Sequence, residues 1–156
     1  MTIDLDAEWT PEIVADRLIA AGRWVVSCGG PVGPRAPRSL HFNFIASALD
    51  PKEFDREFGG PPEIADPDDI RRARFGISPG RVSAHEHALT WPSVYLTELP
   101  GPATVLKVWL RCKVYRRPFD ESCRARGWAR PTAYRARGRA LGAIAMGLTR
   151  DRCPSE

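Results

Sequence analysis

The sequence predicts an all-α protein, and three observations carry that prediction. Apolar residues recur at three- and four-residue spacing, first in Ile13, Val14, Leu18, Ala21 and Val25, and again in Ala133, Ala136, Ala140, Leu141, Ile144 and Leu148. That spacing is the buried stripe of an amphipathic helix. A capping residue followed by proline appears at Thr10-Pro11, Asp50-Pro51, Asp66-Pro67 and Ser78-Pro79. The cap's side-chain oxygen can satisfy an orphan N–H, and proline's fixed φ suits the first helical turn, so each pair reads as a helix start. The one alternating stretch, Leu40 to Phe44, has no evident partner strand elsewhere. At 156 residues the chain suits one domain, or a compact domain with a small attachment.

In order, Trp9-Thr10-Pro11-Glu12 opens the first helix, with Glu12 at the positive end of its dipole and Trp24 closing its apolar stripe. Ser27 to Ser39, rich in glycine and proline, is a loop. Leu40 to Leu49 is assigned to helix on the strength of its second half, FIASAL. Phe54 and Phe58 lie four apart on the helix begun by Asp50-Pro51. After the break at GGPPEIADP, Asp66-Pro67 starts a helix through Arg71, Arg72 and Phe75 that stops near Gly76. Ser78-Pro79 leads into Val82, Leu89 and Trp91, and Trp91-Pro92 marks a kink or an end, since proline disfavours helix at the residue before it. Ser93 to Leu99 is a short helical piece before the Pro100-Gly101-Pro102 turn. Ala103 to Val114 is a strong helix, with Val105, Val108, Trp109 and Cys112 on one face.

The C-terminal third is the most informative part. Phe119 to Arg126 forms a short helix and Gly127 its left-handed stop. Arg130-Pro131-Thr132 then starts a second helix whose apolar face is the run from Ala133 to Leu148. Cys123 sits where the two helices cross, and Trp128 and Ala133 fill the angle between them. A short helix, a glycine turn and an arginine-rich second helix make a helix-turn-helix candidate, completed by the helix at 103–114 as a tri-helical core. The expected division is an acidic, proline-punctuated helical region at 1–100, the helix-turn-helix unit at 101–150 and a frayed tail at 151–156. Charge follows the same division. Residues 101–156 hold thirteen basic against four acidic groups, a net +9, whereas residues 1–100 hold ten against fifteen, a net −5. A basic rear behind an acidic front points to a polyanionic partner, with double-stranded DNA leading. Arg130, Thr132, Tyr134 and Arg135, near the start of the second helix, are the candidate base readers, Arg135 for a guanine edge. Lys113, Arg116, Arg117, Arg124, Arg137 and Arg139 are the candidate phosphate contacts.

These segments also carry a resemblance. GWARPTAYRARGRALGAIAMGL resembles the recognition half of the region-4 helix-turn-helix of sigma factors. With EWTPEIVADRL, HALTW, VLKVWLRCK, CRARG and RPTAYR, it is also similar to a functionally uncharacterised helix-turn-helix family of small proteins in alphaproteobacterial prophages and related elements. The matches cover about half the chain. The resemblance implies a phage-linked DNA-binding protein and does not decide between transcriptional control and genome packaging; a transcriptional regulator is the expectation, with a small terminase subunit recognising packaging DNA as the alternative. A different class is a helical protein–protein adaptor whose basic surface meets an acidic partner. The N-terminal part packs against the basic unit or mediates homo-oligomer formation.

Other chemistries find no support. GxSxG, HExxH, P-loop and GxGxxG patterns are all missing, so no catalytic residue, and no cofactor, is expected. His85 and His87 are two apart and point to different sides of a helix, so they cannot jointly hold a metal. Cys28, Cys112, Cys123 and Cys153 are scattered without CxxC spacing, and Cys112 and Cys123 read as small buried thiols. The acidic opening MTIDLDAEW lacks the basic and apolar regions of a secretory signal, and no apolar run spans a bilayer. Small alanines and glycines make the basic helix a poor membrane-insertion face. A cytoplasmic protein is expected.

Overall fold

A computed structural model describes residues 8–28, 47–60 and 78–153. Among them, the regular secondary structure is entirely helical: α1 Pro11–Cys28, α2 Pro51–Phe58, α3 Pro79–Tyr95, α4 Pro100–Val114, α5 Phe119–Ala125 and α6 Arg130–Arg150. The loop expected at 27–39 starts two residues later than predicted, because α1 continues through Ser27 and Cys28 before the first glycine; its remainder at 29–39, most of the helix at 40–49 and the helix begun by Asp66-Pro67 lie outside the described residues. No described helix is long and apolar enough to cross a membrane.

Proline in the first turn opens α1, α2, α3 and α6 as the sequence predicts, and the caps differ in how they are used. Asp50 is extended and its Oδ1 accepts from the Lys52 N–H at 2.9 Å. Thr10 Oγ1 accepts from the Ile13 N–H at 3.3 Å. Ser78 has the same extended backbone, but its hydroxyl makes no capping bond.

α6 is the central helix. It packs most extensively on α4, and also on α1, α3 and α5. Its buried stripe of Ala133, Ala140, Leu141, Ile144, Ala145, Gly147 and Leu148 adds Ala145 and Gly147 to the predicted set, while Ala136 stays half-exposed. α4 contributes Leu106 and Leu110 beside the expected Val108, Trp109 and Cys112. α1 contributes Val14, Leu18 and Ala21, and packs on α3, α4 and α6. One contiguous core therefore joins Trp9 to Leu148, and residue 100 marks no gap in the packing. Two glycines admit close neighbours: a Cβ at Gly147 would collide with the Tyr95 ring, and one at Gly22 would lie 2.7 Å from Val114 Cγ2.

Three further expectations are corrected. The helix at 79–95 continues through Pro92 rather than ending before it. Pro92 forfeits one backbone bond, but it lies in the last turn, the Leu96 N–H still bonds its carbonyl at 3.1 Å, and the burial of Ala88, Leu89 and Trp91 holds the segment. α4 begins at Pro100, not Ala103, because proline is tolerated in the first turn and the Ala103 N–H reaches the Leu99 carbonyl at 2.9 Å. The tail is not frayed through residue 153: Asp151 Oδ2 accepts from the Tyr95 hydroxyl at 2.8 Å, and the Cys153 carbonyl accepts from Trp9 Nε1 at 2.9 Å.

Candidate nucleic-acid interface

α4, α5 and α6 pack on one another in all three pairings. The turn between α5 and α6 is built as the sequence implies. Gly127 adopts φ 67°, the Trp128 N–H bonds the Cys123 carbonyl at 2.9 Å, and the Gly127 N–H bonds the Arg124 carbonyl at 3.2 Å. This is the Schellman arrangement, which satisfies the last carbonyls of α5 and turns the chain sharply. A Cβ on Gly127 would meet nothing, so the backbone angle and not the space requires glycine there. Cys123 and Ala133 are both buried beside this turn.

The same closure appears between α4 and α5 with an arginine in the left-handed position. Arg116 has φ 55°, the Arg117 N–H bonds the Cys112 carbonyl at 2.8 Å, and the Arg116 N–H bonds that of Lys113 at 3.4 Å. A left-handed non-glycine residue costs about 1–2 kcal/mol, yet here it leaves a cationic side chain exposed at the corner.

The predicted base readers do not share one face. Thr132 and Arg135 are exposed, and Arg135 Nε bonds only its own turn, the Pro131 carbonyl at 3.2 Å. Tyr134 is half-buried and turns toward α5: its hydroxyl donates to Asp120 Oδ1 at 2.9 Å and its ring meets the Phe119 ring edge-on at 5.3 Å. Burial first, then Asp120, raises the Tyr134 phenol above its ordinary pKa, so it remains a donor. Arg130 also leans on Asp120, at 3.3 Å, with its guanidinium 5.7 Å from the Tyr134 ring. The reason is the helical turn of about 100° per residue, which carries neighbours in sequence to different sides.

The predicted phosphate set divides likewise. Lys113, Arg116, Arg124 and Arg139 are exposed and have no ion-pair partner among the described residues. Arg137 is half-buried, its guanidinium stacked 5.4 Å from the Trp109 ring and 5.1 Å from that of Tyr134. It pins α6 to α4. Arg117 lies over the rings of Phe54 and Phe58, at 5.6 and 5.3 Å. Thr132 and Arg139 together border an open groove of about 570 Å³, whose walls include Val105, Trp128, Ala133 and Ala136.

One group at this corner escapes sequence reasoning. The Glu57 side chain, 8 % exposed, reaches from α2 to Arg111, 4 % exposed, at 2.7 Å, and its other oxygen faces Arg126 at 3.5 Å. Arg111 Nε also donates to the Ala48 carbonyl at 2.7 Å. Burial pushes the Glu57 carboxyl up, but Ser122, Arg111 and Arg126 outweigh it and hold the group below the ordinary carboxylate value. The one clue in the sequence is a charge inside the apolar run VWLRC. Nothing in the spacing links Arg111 to a glutamate 54 residues earlier.

Cys112 and Cys123 are buried free thiols, as expected, and burial raises both above their ordinary pKa. His85 stacks on Trp24 at 5.5 Å and His87 meets Trp91 edge-on at 5.8 Å, so the two histidines serve different packing contacts. Among the described residues no group of histidine, cysteine and carboxylate side chains could hold a metal. Compared with known proteins, the chain matches no family model, no curated protein and no solved structure.

Proposed function

We propose that α4, α5 and α6 form a helix-turn-helix that binds double-stranded DNA, with the front of α6 in the major groove. The observation that carries this reading is a set of exposed cations with no ion-pair partner among the described residues: Lys113 and Arg116 at the corner between α4 and α5, Arg124 just before the glycine turn and Arg139 on α6. Cations without protein partners, beside a helix whose first turns are solvent-exposed, are what phosphate contact needs. Thr132 and Arg135 are the base readers on this reading, with Arg139 one turn further on. Tyr134 and Arg130 position α6 through Asp120. The role proposed for this binding is transcriptional regulation, with packaging-site recognition by a small terminase subunit as the alternative form of the same activity.

The test is binding to duplexes from the gene's own neighbourhood and to scrambled duplexes, across a salt series. Affinity should fall with salt, and Arg135→Ala should lose about 1–3 kcal/mol on the preferred site and little on scrambled DNA. Equal loss on both would make Arg135 a phosphate clamp. No binding to any duplex would overturn the DNA reading. The apolar walls of the groove beside Arg139 favour the second reading, an adaptor for an acidic protein.

A further inference from the structure

We propose that α2 is an acidic clasp closed over the DNA-facing corner, and that bound DNA displaces it. The inference rests on the DNA-binding reading above and adds its regulation. Arg117 stands two residues before α5 and Arg126 directly after it, α5 being the helix that in this motif crosses the DNA backbone. α2 holds both of them. Glu57 faces Arg126 at 3.5 Å, and the rings of Phe54 and Phe58 lie under Arg117 at 5.6 and 5.3 Å. The other cations of the corner, Lys113, Arg116 and Arg124, carry no such cover among the described residues.

The clasp is fastened from inside. Arg111, almost fully buried, pairs with Glu57 at 2.7 Å and bonds the Ala48 carbonyl, and the Tyr115 hydroxyl donates to the Leu49 carbonyl at 2.8 Å. Phe54 is buried against Tyr115, with ring centres 4.7 Å apart. These side chains attach α2 to the end of α4, and opening it would strand the buried Arg111 charge, so the closed form is the resting one. Asp50, Glu53, Asp55 and Glu57 outnumber Lys52 and Arg56 on this segment. An arriving phosphate is repelled by it and competes with Glu57 for the same guanidinium.

Two variants open the clasp by different routes. Glu57→Gln removes the carboxylate from Arg126, and Phe58→Ala removes one of the two rings that hold the exposed Arg117, without leaving a buried charge unpaired. Each should bind duplex DNA roughly fivefold to tenfold more tightly than the unaltered chain at low salt, with a log–log salt slope steeper by ~0.9 for each recovered phosphate contact. In the unaltered chain, adding duplex should speed amide exchange across 51–58 while slowing it across 130–139. If Glu57→Gln fails to fold, by circular dichroism, Phe58→Ala and the exchange measurement decide. Variants that bind no better, or exchange across 51–58 that slows with DNA, would overturn the clasp and leave the DNA reading standing. No binding by the unaltered chain or by either variant would overturn both.

Discussion

The two halves of α6 have opposite roles in one continuous helix. From Arg130 to Arg139 the helix is mostly exposed, and its long side chains turn to solvent, to α5 or, for Arg137, to Trp109 of α4. From Ala140 to Leu148 it is mostly buried, and small and aliphatic residues meet α1, α3 and α4. The rear half makes the helix a fixed part of the core, so the front half can remain largely uncovered without fraying. Isolated helices of this kind are marginal in water, and their order comes from a packed face.

Four substitutions or conditions break or sharpen that contrast, in decreasing order of effect. Ile144→Asp places an unpaired carboxylate in the fully buried rear half and should cost several kcal/mol, enough to unfold the protein. An unchanged melting temperature would refute the packing described for the rear half. Gly147→Ala drives a methyl into the Tyr95 ring and should destabilise by about 1–3 kcal/mol, read from denaturant unfolding.

Acidification should loosen the front corner first. The Glu57 carboxyl titrates below its ordinary value in the folded chain. Its contribution is therefore complete above the unfolded-state pKa and lost as pH falls through the lower, folded one. Amide exchange across 51–58 should accelerate in that window before exchange across 140–148 does, and Glu57→Gln should abolish the difference. The smallest effect is Gly138→Ala. There a Cβ meets nothing and lies mid-helix, so the variant should stabilise by about 1 kcal/mol, opposite in sign to the same change at Gly147. A destabilised Gly138→Ala would mean that the front half is not free of neighbours.

The rear half of α6 was legible in the sequence because burial writes itself as periodicity: Ala140, Leu141, Ile144 and Leu148 could be placed on one face by counting. The Gly127 turn was legible too, since a left-handed stop selects glycine. The site residues were harder. Tyr134 and Arg130 looked like readers by position, but Asp120, on a neighbouring helix, draws the Tyr134 hydroxyl inward and pairs with Arg130 at the surface. Arg137 looked like a phosphate contact, and two aromatic rings take it instead. An arginine's type says that it seeks a partner, and only the fold says whether that partner lies within the chain. Pro92 misled for a related reason, since a local helix-breaking preference yields to tertiary burial when only the last turn is affected.

The bond from the Trp9 indole to the Cys153 carbonyl spans 144 residues of sequence. Closing so long a loop is an entropic expense that local contacts do not share. The α4–α5–α6 unit is made of near neighbours and can form while α1 is still searching. α1, whose docking brings Trp9 against Trp91 at 5.1 Å and onto the end of α6, should then be the last helix to arrive. In a refolding time course the Trp9 environment would mature in the final phase. On a ribosome-bound chain the Trp9 indole would lack its carbonyl partner until residue 153 had been made, even with α1 already against α3 and α4.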